Sequence, residues 1–205
     1  LGELPIEKST PVLEGLIDQL AKGKLSPDIA LDLMEAVNAT KSEALIAKLA
    51  PLERDGATVD AYKETLYGGN GRKGWDYFMN NSAGQCARCH SINGQGGTVG
   101  PTLQHIGSVL SREQILQAMI EPSARLAPGY GSVSLELKDG QKVNGVLLEE
   151  HNDKLILQTS QAEPLEVPLA RIVKRTNIPS SMPPIGSIMS KREIRDMVEF
   201  LANMK

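Results

Sequence analysis

The chain is poor in aromatic residues. Tryptophan, tyrosine and phenylalanine make up 3% of it, as one Trp, four Tyr and two Phe. These side chains normally supply much of a core's buried area, so aliphatic residues or some other apolar body must fill the interior. Cysteine is also scarce. Two residues, Cys86 and Cys89, exclude a small fold built on a disulfide framework. Basic charge is not in excess. The net charge is −3 and the pI about 5.7, which argues against a protein that coats nucleic acid. No run approaches the roughly 18 apolar residues of a transmembrane segment, and Leu1-Gly2-Glu3 opens without a basic-then-apolar leader. What is present suffices for one large or two small domains: 205 residues, 40% of them hydrophobic.

Residues 1–65 read as short helices. Val12, Leu13, Leu16, Ile17 and Leu20 share one helical face, with Thr10 as expected N-cap, Pro11 at the first helical position and Gly23 as a stop. Ser26-Pro27-Asp28 repeats the start signal before Ile29, Leu33, Met34 and Val37. Thr40-Lys41-Ser42-Glu43 has the pattern of a capping box before Leu45, Ile46 and Leu49. The wide apolar faces suggest the end of a helical array, or a cap on the next domain. Over these residues 7 basic face 12 acidic side chains, a balance of −5, whereas the remainder carries 15 and 13, a balance of +2. This asymmetry predicts a boundary near residues 55–68, and hence units 1–65 and 66–205.

Beyond the boundary comes Gly74-Trp75-Asp76-Tyr77-Phe78-Met79, then Cys86-Ala87-Arg88-Cys89-His90 and a glycine-rich loop ending in Gly100-Pro101. Ser111-Arg112-Glu113-Gln114 is a capping box for a helix with Ile115, Leu116 and Met119. Over 132–176 the period changes to two. Val133, Leu135 and Leu137 alternate with polar residues, Asp139-Gly140 signals a hairpin, and Leu155, Leu157, Leu165, Val167 and Leu169 continue the alternation. This predicts an antiparallel meander of four or five strands. Ser190-Lys191-Arg192-Glu193 caps a last helix with Ile194, Met197, Val198, Phe200 and Leu201 on its apolar face.

Cys86-x-x-Cys89-His90 carries the chemistry. C-x-x-C-H is the attachment sequence of a c-type haem: two thiols on adjacent turns reach two vinyl groups of one porphyrin edge, and the next residue offers its imidazole to the iron. A structural zinc site would want four ligands, usually two such pairs, and a thioredoxin-like motif would want a preceding strand and a βαβ setting. A structural disulfide across the two intervening residues is a rare alternative.

The segment resembles class I c-type cytochromes. Gly74 and Phe78 are similar to the glycine and aromatic of a first helix that packs on the last, with Met197, Phe200 and Leu201 as the complementary face. Gly100-Pro101-x-Leu103 resembles the loop whose proline carbonyl takes the second N–H of the proximal histidine. Met182, in Ser181-Met182-Pro183-Pro184, stands where such proteins carry the axial methionine. His90 and Met182 are 92 residues apart, and setting aside 132–176 (45 residues) leaves 47. With Glu121-Pro122-Ser123, Pro128-Gly129-Tyr130 and the Lys138-Asp139-Gly140 hairpin, that insertion is similar to haem-binding domains fused behind dehydrogenase-like β-propellers and HEAT-type helical repeats.

The resemblance implies a mainly α fold. It would be a cytochrome c domain around one haem, with a β insertion at about 132–176 and an N-terminal helical segment, read as a C-terminal fragment of a larger protein. It implies haem c bound by Cys86 and Cys89, iron ligation by His90 and Met182, and Pro101 and Leu103 against the cofactor. The expected function is one-electron transfer, not catalysis by this domain. Redox partners would be a sugar or alcohol dehydrogenase as donor and a cytochrome or oxidase as acceptor, in the periplasm or another exported compartment. The rival is a sensory or catalytic haem with a labile Met182. Met189, Met197 and Met79 are expected to pack, and His105 and His151 to be solvated or hydrogen-bonded. Arg88, Arg125 and Tyr130 are weaker candidates for the haem propionates.

Overall fold

The computed structural model describes residues 6–205; the Leu1-Gly2-Glu3 start lies outside them. Helix α1 (Ile6–Ala21) buries Leu13 and Ile17, while Val12 on the expected apolar face is 48% exposed. The helix begins before Thr10, and Pro11 lies inside it, so the expected proline start is corrected. A 3₁₀ turn, Pro27–Ile29, leads into α2 (Ala30–Thr40), and α3 (Glu43–Leu49) follows. The capping box expected at 40–43 does not form. Thr40 still belongs to α2, and its hydroxyl donates to the Val37 carbonyl (2.7 Å) and accepts from the Ser42 amide (3.1 Å). Lys41, with φ of 56°, turns the corner. Leu13, Ile17, Leu33, Val37, Leu45 and Leu49 form the core of this unit.

A 3₁₀ stretch, Val59–Thr65, connects to α4 (Gly71–Asn80), whose N-cap Asn70 accepts the amides of Arg72 and Lys73 (both 3.1 Å). Next come α5 (Cys86–Cys89), the short strands β1 (Ser91–Ile92) and β2 (Gln95–Gly96), α6 (Ile106–Val109) and α7 (Arg112–Ile120). Both expected capping boxes, Ser111 with Gln114 and Ser190 with Glu193, are formed at α7 and at α8 (Lys191–Ala202). The second core gathers α4, α7 and α8 around Phe78, Leu116, Ile194, Met197 and Val198.

Between α7 and α8 runs an antiparallel sheet: β3 (Ser132–Leu137), β4 (Lys142–Glu150), β5 (Lys154–Gln158), β6 (Leu165–Pro168) and β7 (Ile172–Asn177). Strands β3 to β6 form the expected meander. After a 3₁₀ turn, Leu169–Arg171, strand β7 crosses back to pair with β3, giving the order β6-β5-β4-β3-β7. Val133, Leu135, Leu137, Leu147, Leu155, Leu157 and Val167 point to one side and make a third, separate core. A five-stranded sheet with its own core means that "mainly α" describes only part of the chain. The strand ends also meet: the Ile178 amide donates to the Ser132 carbonyl (2.9 Å).

The N-terminal helices are joined to α8 by charge. Asp32 accepts from Arg195 (2.7 Å) and Arg192 (2.8 Å), and Glu64 pairs with Lys191. No helix among the described residues is long and apolar enough to cross a membrane.

Candidate functional site

The site rests on the crossing of α4 and α8. A β-carbon on Gly74 would stand 2.1 Å from the Asp196 carbonyl oxygen and 2.6 Å from Phe200 Cβ, so only glycine lets these backbones meet. Phe78 is fully buried one turn later, with its ring centroid 6.2 Å from that of Phe200. Trp75 meets Phe200 edge-on at 5.6 Å. Asp196, also buried, accepts the Asn70 amide at 2.7 Å and ties the start of α4 to α8. The helix pair expected from Gly74, Phe78, Met197, Phe200 and Leu201 is therefore in place.

Helix α5 is a single turn. Cys86 and Cys89, three apart, lie on one face of it, both as free thiols, and burial pushes the Cys86 thiol up. The His90 amide closes the turn on the Cys86 carbonyl (2.9 Å). The glycine-rich loop folds back over the motif: Gly97 donates to the Ala87 carbonyl (2.8 Å), Gly100 to Cys89 (2.8 Å) and Leu103 to Ser91 (2.9 Å). A side chain at Gly97 would collide with the Arg88 carbonyl at 2.0 Å. This close wrap accounts for Gly96, Gly97 and Gly100, whereas Gly94 meets nothing and serves a turn with φ of 75°.

His90 is half-buried. Its Nδ1 lies 2.8 Å from the Pro101 carbonyl oxygen. A carbonyl only accepts, so Nδ1 is the donor, and in the neutral ring Nε2 then carries the lone pair. Leu103 is half-buried against the α-helical core. Met182 is also half-buried and lines a cleft of about 330 Å³ with Ile120, Glu121, Pro122, Ser123 and Pro184. Its amide donates to Ser180 Oγ (3.1 Å), and the Ser180 amide donates to Ser123 Oγ (2.9 Å). Met189 is buried instead, its sulfur 2.9 Å from where a β-carbon on Gly84 would stand.

Residues 71–144 match the family model of cytochrome c. Over that stretch, 74 of the chain's 205 residues, the chain is similar to cytochrome c. No curated protein matches the chain significantly. The cytochrome c match opens on the first residue of α4, includes the attachment motif and the Pro101 loop, and ends within β4, before Met182. Cytochrome c domains hold haem c and transfer electrons, and the donor set here fits that group. Two free thiols share a face, and the histidine has one nitrogen satisfied by a carbonyl while the other takes no part in that bond, the arrangement ligating histidines adopt.

The remaining sequence candidates lie at the surface. His105 is exposed with φ of 62°, and His151 is exposed beside Glu149 (2.8 Å). Arg88 is exposed and donates to Gln85 (3.1 Å), and Arg125 and Tyr130 are exposed too. Sequence reasoning missed Tyr62, whose hydroxyl donates to the Gly186 carbonyl (2.9 Å) from 124 residues away. It also missed Glu121, which accepts the Val59 amide (3.1 Å) at the cleft wall. Tyr62 stands in no motif, and Glu121-Pro122-Ser123 marks a resemblance without marking Val59 as the partner of Glu121.

Proposed function

We propose that residues 66–205 are a mono-haem c-type cytochrome domain, with haem attached through Cys86 and Cys89 and iron held by His90 and Met182. It works as a one-electron carrier rather than as an enzyme in itself. The observation that carries this reading is the His90 imidazole, held by the Pro101 carbonyl with Nε2 free, one residue beyond a pair of free thiols. When bound, the haem supplies a one-electron couple at its iron. The chain's own residues do the rest. Pro101 fixes the tautomer and orientation of His90 and makes Nε2 a better donor. Met182 offers a soft thioether, a ligand that raises the reduction potential. Ile120, Pro122 and Pro184 line its cleft with apolar surface.

The donor in this reading is a sugar or alcohol dehydrogenase, fused or separate, and the acceptor a cytochrome or an oxidase. Support comes from the resemblance to domains fused behind dehydrogenase-like propellers. Covalent haem attachment is carried out outside the cytoplasm, so the compartment is periplasmic or otherwise exported. A second reading, a sensory or catalytic haem with labile Met182, draws on the methionine's being only half-buried beside an open cleft.

Expression with the c-type maturation machinery separates the two. Electron transfer predicts haem that stays with the chain on denaturation, and a low-spin oxidised spectrum with the weak near-infrared sulfur-to-iron band. Met182→Ala removes that band and lowers the potential, whereas Met189→Ala leaves both unchanged. A high-spin spectrum without the band favours the second reading. Haem released by denaturant overturns covalent attachment itself.

A further inference from the structure

We propose that Tyr62 is a positioning residue for the methionine loop, so that the segment before the cytochrome c match controls how firmly Met182 is held. This rests on the reading of Met182 as axial ligand. The loop between β7 and α8 is fastened at two points. On the strand side, Ser123 receives the Ser180 amide, and Ser180 in turn receives the Met182 amide. On the helix side, the Tyr62 hydroxyl donates to the Gly186 carbonyl at 2.9 Å, four residues past Met182.

The second fastening is closely fitted. A β-carbon on Gly186 would stand 2.5 Å from the Tyr62 oxygen and 2.7 Å from its Cζ, so the phenol lies directly on the backbone of the turn. Tyr62 is itself held from several sides. Lys191 lies over its ring at 5.5 Å and pairs with Glu64, and the buried Thr65 hydroxyl donates to the Tyr62 carbonyl (2.7 Å). At the other end of the same 3₁₀ stretch, the Val59 amide reaches Glu121 on the cleft wall (3.1 Å). The stretch thus spans from the exit of α7 to the turn before α8 and braces the two sides between which Met182 sits. Without the phenol hydrogen bond, the loop opens more readily and Met182 yields its place to an outside ligand.

The test uses the haem-loaded full chain, with imidazole as the probe. Tyr62→Phe keeps the ring and removes only the hydroxyl. It should bind imidazole to the oxidised protein about three- to tenfold more tightly, the effect of one hydrogen bond. The near-infrared sulfur-to-iron band should be lost at correspondingly lower imidazole. Amide hydrogen exchange at Ile188 and Met189 should accelerate relative to the protected amides of α8. Gly186→Ala, which pushes the phenol away, should reproduce the effect. Leu13→Ala weakens the distant N-terminal core without touching the loop and should leave imidazole affinity unchanged.

Unchanged affinity and exchange in Tyr62→Phe, while Met182→Ala binds imidazole more tightly, overturns the positioning role alone. An equal rise in Leu13→Ala also overturns it, since general loosening would then suffice. A parent protein that lacks the sulfur-to-iron band overturns the methionine assignment and this inference together.

Discussion

The imidazole of His90 rests on Gly100. A β-carbon there would stand 2.6 Å from His90 Cε1 and 2.8 Å from Nδ1, inside any permitted contact. The glycine is the floor of the ring's seat, and the next residue, Pro101, supplies the carbonyl that fixes the ring's orientation. Gly100→Ala should therefore tilt the ring away from that carbonyl. Overpacking of this kind costs roughly 1–3 kcal/mol, measurable by denaturant unfolding, and on the proposed ligation the yield of haem-loaded chain should fall. A variant that unfolds and loads as the parent does would show that the seat can shift freely.

The α4–α8 crossing should be the least tolerant part of the fold. Gly74→Ala drives a methyl group into the Asp196 carbonyl, which is backbone and cannot swing aside. Phe78→Ala empties a fully buried site and should cost about 3–5 kcal/mol. Denaturant unfolding followed by circular dichroism measures both. If Phe78→Ala costs no more than an exposed substitution such as Val173→Ala, the packing described for this crossing is wrong.

Arg112 and Glu199 give the stability a defined pH dependence. The Arg112 guanidinium, 2.7 Å away, holds the Glu199 carboxyl below the usual carboxylate range, and Asn203 adds a second hydrogen bond. The folded value is thus lower than that of the unfolded chain, about 4.3 for a free glutamate. The stabilisation is fully present above the unfolded value and is lost as pH falls through the folded one. Denaturant midpoints should decline from about pH 5 downward, and less steeply in Glu199→Gln. Parallel curves for parent and variant would remove this pair as a source of the decline.

Arg195 presents an asymmetric case. It is buried, its Nε has no hydrogen-bond partner among the described residues, and Asp32 takes its Nη1 at 2.7 Å. Asp32→Asn should cost roughly 1–3 kcal/mol, because a buried charge is left with a weaker acceptor. Arg195→Met should cost less, since it removes the charge together with the need for a partner. Equilibrium unfolding of the two variants checks the order, and the reverse order would contradict the account.

Where pattern and chemistry were local, the fold could be read directly. The boxes at Ser111 and Ser190 need residues three apart, the strands need alternation, and the motif at Cys86–His90 needs five consecutive positions. The Pro101 carbonyl is legible only through the resemblance to c-type cytochromes, and the structure puts it on His90 Nδ1 eleven residues away. The box at Thr40 failed because its hydroxyl had a nearer carbonyl, that of Val37, within its own helix. The helix containing Pro11 began earlier because a start signal cannot exclude helix before it. Tyr62 and Gly186, Asn70 and Asp196, and Asp32 and Arg195 meet only after the chain has folded, and a tyrosine or aspartate carries no mark of a partner over a hundred residues away.

The bond from the Ile178 amide to the Ser132 carbonyl has a consequence for how the chain is routed. The sheet departs from the helical body and rejoins it at one point in space, so it is a detour of zero net displacement. Such a cassette can be gained, lost or exchanged without altering the distance between the halves it interrupts. For the helical body, the whole sheet closes on itself much as a tight turn does.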